Sequence, residues 1–205
     1  MILKYILLAL LWISYCALHS AMITPKFTDF LKKQLGDAYK FYRIFYNLFA
    51  LVLLIPVGIF TYSIRQTPFF NLEGYLLAVR ILLLATGLFL FYAGALQYDI
   101  STFLGLKQIR ETVSHNLINE TGKLNSRGIL GVVRHPFYAA IFPIIWATNL
   151  DITFLIVNCI LTIYVIIGTF LEEQKLIKEF GDEYREYQRK VSMFFPLKWI
   201  LNKIN

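Results

Sequence analysis

Apolar and polar positions fall in long alternating blocks. Apolar residues dominate Ile2–Met22, Ile44–Ile64, Tyr75–Tyr98, Pro136–Leu150 and Ile152–Leu171, with charged stretches between them. At about 1.5 Å per residue, a run of roughly 20 apolar residues crosses a hydrocarbon core about 30 Å thick. Four blocks meet that length and are predicted to be membrane helices. The fourth, Pro136–Leu150, is shorter, so it is expected to be sheltered by its neighbours or to end below the outer surface. Only Asn149, Leu150 and Asp151 separate it from the fifth block, which predicts a tight helical hairpin. The fold expected is an all-α integral membrane protein of about five transmembrane helices. It forms one membrane domain over residues 1–205, with a three-helix part (1–98) followed by a part (99–205) that carries the hairpin and amphipathic tail helices.

The charges orient these helices. Lys26, Lys32, Lys33, Lys40 and Arg43 lie in the segment Thr24–Arg43; Lys107, Arg110, Lys123 and Arg127 lie in Asp99–Val133; the tail from Glu172 carries Lys175, Lys178, Arg185, Arg189, Lys190, Lys198 and Lys203. Basic loops stay on the cytoplasmic side, and the stretches Arg65–Gly74 and Asn149–Asp151 are poor in Lys and Arg. The expected topology has an outer N-terminus and a cytoplasmic C-terminus, with Arg80 snorkelling to the outer surface. The first block resembles a secretory signal in its early lysine. Its length, and the bulky Tyr15 before Cys16, favour a retained helix.

Composition agrees with this reading. Hydrophobic residues make up 58% of the chain, and the mean hydropathy of +0.59 points to the bilayer as solvent. The net charge of +7 is therefore read as topology, with no nucleic-acid partner expected. Cys16 and Cys159 both sit in apolar blocks without metal-ligand spacing, and no metal is expected.

In the tail, Leu176, Phe180, Tyr184, Tyr187 and Val191 recur every three or four residues, an apolar stripe on a charged helix. Gly181 is expected to divide that helix in two. Phe194, Phe195, Pro196, Trp199 and Ile200 have the composition of an interfacial anchor.

Two charged clusters stand at the open ends of the hairpin. Arg134-His135-Pro136 opens the fourth block, and Pro136 suits a first helical turn because its missing N–H has no helical partner there. A helix start beside Arg134 and His135 suits a carboxylate or phosphate; equally, Arg134 is a positive-inside anchor and His135 a helix-start residue. Glu172-Glu173 closes the fifth block, where acids contribute nothing to the positive-inside pattern. A carboxylate there can hold ribose hydroxyls or a cation; the plainer reading is a solvated start to the tail, with Glu173 and Ile177 spaced for ordinary helix packing. Together the two clusters could hold a zwitterion bearing a sugar.

The run Gly128-x5-Arg134-His135-Pro136-x-Tyr138, with Glu172-Glu173-x2-Leu176-x3-Phe180-Gly181-x2-Tyr184-x2-Tyr187 and Pro196, resembles the isoprenylcysteine carboxyl methyltransferase and phospholipid methyltransferase superfamily. His19-Ser20-x-Met22-x2-Pro25, Arg43-x2-Tyr46-Asn47 and Tyr98-Asp99-x3-Phe103-Leu104-Gly105-Leu106-Lys107-Gln108 are similar to a narrower branch, the bacterial methanethiol S-methyltransferases and NnrU-type membrane proteins.

The resemblance implies a bacterial inner-membrane enzyme that uses S-adenosyl-L-methionine. It implies cofactor contacts for Lys123, Leu124, Asn125, Leu130, His135, Pro136, Phe137, Tyr138 and Glu172. Leu130 departs from the pattern where a Tyr is common. Gly168 departs where the carboxyl methyltransferases place an Arg associated with their prenylcysteine substrate, which makes a carboxylate acceptor less expected. The acceptor expected is small or lipophilic, a thiol first, with a carboxylate or lipid amine as alternatives. The sequence names no catalytic residue. Arg134, His19 and Tyr98 are the candidates, and His115 is a further group that could assist a thiol. An NnrU-like accessory protein without catalysis and an NADPH-dependent membrane reductase remain as rival readings.

Overall fold

The computed structural model describes residues 2–97, 100–110 and 124–204. These residues are predominantly helical, with no extended strand among them. Four helical runs are long and apolar enough to cross a membrane, and Pro136–Trp146 adds a shorter apolar helix. Lys123, Tyr98, Asp99 and His115, singled out from the sequence, lie outside the described residues. The contacts group the chain into two compact units that exchange segments along the sequence.

The first unit comprises Met1–Phe70, Ile100–His115 and Leu150–Ile160. Helix α1 (Ile2–Met22) and helix α3 (Tyr42–Ser63) pack together in it. Polar ties fasten them: Trp12 Nε1 donates to Thr61 Oγ1 at 3.0 Å, the Tyr42 hydroxyl donates to the Met22 carbonyl at 2.7 Å, and the Tyr46 hydroxyl meets the His19 ring. Inside an apolar helix pair each such bond spares a donor that lipid cannot satisfy.

The polar segment Thr24–Arg43, read from the sequence only as a loop, is largely helical. Helix α2 (Pro25–Leu35) starts with Pro25 in its first turn and runs through a 3-10 stretch, Gly36–Phe41, into α3. Its Phe and Lys positions carry a helical period that the count of charges obscured. Short helices α5 (Ile100–Leu104) and α6 (Leu106–Arg110) complete the unit, where the Asn47 amide donates to the Leu104 carbonyl at 3.3 Å. The start of helix α8 (Ile152–Phe180) is capped by Asp151. Its carboxylate accepts from the Phe154 N–H at 2.8 Å and from the Gln66 N–H at 2.6 Å.

The second unit comprises Asn71–Asp99, Asn116–Asn149 and Leu161–Asn205. Its central pair is helix α4 (Leu77–Ala95) against helix α7 (Pro136–Trp146). Small residues allow the close approach. A Cβ on Gly87 would lie 2.5 Å from Ile144 Cγ1, and one on Gly94 would lie 3.3 Å from Pro136 Cγ.

The fourth block is helical only to Trp146, not to Leu150. At 11 residues it rises about 16 Å, roughly half a hydrocarbon core. The chain leaves the helix because Asn149 is committed elsewhere: its side-chain oxygen accepts from the Leu72 N–H at 2.9 Å, and its amide donates to Glu73 at 2.6 Å. The fifth block is longer than its apolar run. Helix α8 continues to Phe180, so the nine residues after Leu171 extend about 13 Å past the apolar stretch, with Glu172 and Glu173 at their root.

Gly181, at φ +58°, turns the chain into helix α9 (Asp182–Lys190), the division expected from the sequence. The tail stripe packs as a cluster of Leu176, Tyr184, Tyr187 and Val191, with Leu124, Ile177 and Phe180 against it. Helix α10 (Leu197–Ile204) ends the described chain.

Candidate functional site

The strand-like stretch before α7 and the stretch after α9 lie side by side. The Arg134 N–H donates to the Ser192 carbonyl at 2.9 Å and the His135 N–H to the Met193 carbonyl at 3.2 Å, next to a parallel bridge between Val133 and Ser192. This pairing holds Arg134 and His135 at the start of α7 and points both side chains at the polar root of the α8 extension.

Glu173 is the hub. Its side chain is only 6% exposed, and its Oε1 accepts from Arg134 Nε at 2.7 Å and from His135 Nε2 at 3.1 Å. Arg134 Nη2 lies 2.6 Å from the same oxygen. The Tyr184 hydroxyl donates to Oε1 at 3.3 Å, and the Gln188 amide donates to Oε2 at 2.8 Å. Burial, and the Glu173 carboxylate beside it, push the Tyr184 phenol well above its ordinary range, so it stays neutral and acts as a donor.

Arg134 is spent within the fold: its Nη1 donates to the Val191 carbonyl and, at 3.2 Å, to the Gln188 carbonyl. A buried guanidinium needs such complete pairing, because an unmatched charge away from water is strongly destabilising. The anion that the Arg-His-Pro start collects is thus the protein's own carboxylate. The sequence singled out Glu172-Glu173 as a pair, with the cofactor contact assigned to Glu172; the role of Glu173 as hub was not readable, because its spacing to Ile177 reads as ordinary packing.

His135 stands between two carboxylates. Its Nε2 faces Glu173, a bond that places the proton on Nε2 when Glu173 is ionised. Its Nδ1 lies 3.7 Å from Glu172 Oε2. Glu172 differs from its neighbour: its side chain is 38% exposed, yet its Oε2 is buried and accepts no hydrogen bond among the described residues. A buried carboxylate oxygen without a hydrogen bond is uncommon in a folded protein. The Tyr138 ring stacks on the His135 ring, with centroids 5.7 Å apart and planes at 19°.

A family model described as NnrU protein matches residues 7–179. The chain belongs to the NnrU family. Relatives of this family member include the methanethiol S-methyltransferase of Pseudomonas deceptionensis, 42% identical over 66 residues, covering 32% of this chain and 25% of that protein. Methanethiol S-methyltransferase 1 of Bradyrhizobium diazoefficiens is 29% identical over 202 residues, covering 91% of this chain and 65% of that protein. A methanethiol S-methyltransferase of a Pseudomonas species is 31% identical over 136 residues, covering 63% and 50%. The chain therefore spans between a quarter and about two thirds of the length of these curated relatives. No solved structure matches it.

Of the residues that the superfamily resemblance marks, the NnrU-family chain brings His135, Tyr138 and Glu172 together. The others are placed differently. Leu124 packs on the tail cluster, and the Asn125 side chain accepts from the Arg127 N–H at 3.1 Å. Leu130 is buried, and its carbonyl accepts from the Tyr187 hydroxyl at 2.5 Å. Pro136 packs on Gly94, and Phe137 meets Phe91 edge-on at 5.2 Å.

Gly128, at φ +58°, turns the chain into this region where a Cβ would meet the Gln97 amide at 2.8 Å. His19 lies in the first unit, where its ring hydrogen-bonds the Tyr46 hydroxyl. Among the described residues no cluster of His, Cys, Asp and Glu could hold a metal ion.

Proposed function

We propose that this NnrU-family protein is a membrane methyltransferase that uses S-adenosyl-L-methionine and methylates a small or lipophilic thiol. The observation that carries the reading is the buried Oε2 of Glu172, without a hydrogen bond, beside a His135 ring on which Tyr138 stacks. Methyl transfer to a thiol, the activity named for the methanethiol S-methyltransferases above, is the chemistry this chain would share.

The residues fit such a cofactor. It is a zwitterion with ribose hydroxyls and a sulfonium, and the site offers a carboxylate acceptor and a stacked aromatic pair. When bound, S-adenosyl-L-methionine supplies a methyl group activated by its positive sulfur, open to in-line displacement. The chain's task is then alignment and exclusion of water. Glu172 binds hydroxyl or ammonium donors. The Arg134–Glu173 pair, locked by Tyr184 and Gln188, is a positioning element that keeps the His135 ring fixed. Arg134 therefore touches no substrate in this reading, and neither His19 nor Tyr98 is needed for cofactor binding.

The thiol preference rests on Gly168, one turn before Glu172. Nothing lies within 4 Å of where its Cβ would be, so this position offers room and no cation for an acceptor carboxylate. A thiol, with a free pKa of about 8.5, needs only modest help to ionise. The same reading puts the α7–α8 end of the site, and the C-terminus, on the cytoplasmic side of a bacterial inner membrane.

The decisive experiment is calorimetric titration of S-adenosylhomocysteine into the detergent-purified chain and its Glu172→Ala variant, with NADPH titrated in parallel. Saturable binding to the parent that is lost in the variant is expected. Equal binding by both would overturn the site assignment. NADPH binding in place of the adenosyl ligand would overturn the reaction class, and binding of neither would make the accessory role the leading account.

A further inference from the structure

Helix α10 is built the wrong way round for water. Leu197, Ile200, Leu201 and Ile204 recur at i, i+3, i+4 and i+7 and form one apolar stripe. A helix on a soluble domain would turn that stripe inward, yet none of its residues is buried. Leu197 is 64% exposed, Leu201 58% and Ile204 76%, and the preceding Phe195 is 66% exposed.

What ties the helix to the rest of the chain is polar instead. The Lys198 N–H donates to Ser192 Oγ at 3.0 Å, and its ammonium donates to the Gln188 carbonyl at 2.6 Å. The first bond caps the start of the helix, and the second ties down Lys198, which lies about 100° round the helix from Leu197, so the stripe is left turned outward.

The charge around the stripe narrows what can cover it. From Val191 to Ile204 there is no Asp or Glu, while Lys198 and Lys203 are both present. Lys203 sits 4.1 Å over the Trp199 ring, which pairs a cation with the side chain that favours the headgroup level. An outward apolar stripe flanked by Trp and Lys on an eight-residue helix is the composition of an interfacial segment. A protein partner would be expected to meet a polar rim of mixed sign, which this segment lacks.

We propose that α10 docks in the headgroup layer of an anionic leaflet. Its stripe Leu197, Ile200, Leu201 and Ile204 enters the acyl boundary, and Lys203 faces lipid phosphate. The inference rests on α10 alone and holds whatever the site at His135 and Glu172 proves to do.

An isolated helix of eight residues is marginal in water, so its amide exchange reports whether something covers it. The test is hydrogen exchange of the full chain in nanodiscs of phosphatidylcholine alone and of phosphatidylcholine mixed with phosphatidylglycerol, at low and high salt. Amides of 197–204 are expected to exchange severalfold more slowly in the anionic discs at low salt, and to lose that protection in a Leu201→Glu variant. Exchange in the anionic discs as fast as in detergent would overturn the docking. Equal protection in both lipids would overturn the anionic requirement. Protection that disappears in discs holding a single chain would assign the stripe to a second copy. The Leu201→Glu chain should exchange normally through α7 and α8, which separates loss of docking from loss of fold.

Discussion

His19 and His135 each sit beside a tyrosine ring, but their surroundings differ in kind. His19 meets the Tyr46 hydroxyl in a recess lined by Tyr15, Leu18, Met22 and Phe49, an apolar corner of the first unit. His135 lies between two carboxylates, one of which also holds an arginine, a tyrosine and a glutamine. The first arrangement satisfies one polar ring inside an apolar helix pair at modest cost. The second concentrates formal charge away from water and is stable only while every member is present. A histidine held that firmly, next to a carboxylate oxygen without a hydrogen bond, is the arrangement on which the proposed cofactor site rests.

The comparison is broken most severely at its hub. Glu173→Ala leaves Arg134 buried without its anion, and unfolding in detergent is expected to become easier by about 3–5 kcal/mol, with failure to purify as the extreme. A shift as small as that of a surface substitution would mean that water reaches the cluster.

Next in size is Gly87→Val, which forces a side chain against Ile144 where α4 and α7 touch. Overpacking of this kind costs about 1–3 kcal/mol and should show as a lower thermal midpoint. Tyr46→Phe removes the hydroxyl from His19 and is expected to cost about 1 kcal/mol, a direct measure of how much weaker the first unit's polar pair is.

Glu172→Gln sharpens the contrast from the other side. Because Glu172 Oε2 has no hydrogen bond to lose, stability should stay within about 0.5 kcal/mol of the parent. Adenosyl-ligand affinity should nevertheless fall by tenfold or more by calorimetry. Destabilisation without loss of binding would reverse the roles given to the two acids.

Much of the fold was legible along the chain. The apolar blocks at 2–22 and 152–171 correspond to α1 and the apolar part of α8, and the three- and four-residue stripe from Leu176 to Val191 forms the cluster it predicts. Gly181 breaks the tail where expected. The end of α7 at Trp146 was only partly legible: the turn at Asn149-Leu150-Asp151 was read from the sequence, but the earlier exit at Ala147 and Thr148 was not; Asn149 is held by bonds to Leu72 and Glu73, far away in sequence. Helix α2 was hidden by its charges.

At the site, the motif residues Arg134, His135, Glu172 and Glu173 stood out by type and position. Their division of labour did not. Consecutive residues on a helix point about 100° apart, so of two adjacent glutamates only one can turn into the cluster, and nothing in the pair Glu172-Glu173 says which.

By itself, then, the sequence determined that the chain lives in a membrane, that a short apolar segment and a long one form its C-terminal hairpin, and that a charged pair stands at each open end. Those features depend on composition and local period, which any stretch of chain carries with it. Only the tertiary structure decided that Arg134 is consumed by Glu173 and that Glu172 keeps a buried oxygen without a hydrogen bond, and only it showed that α10 turns its apolar stripe outward. Each of these depends on the rotation of one helix against another element, a quantity set by the packing of residues distant in sequence.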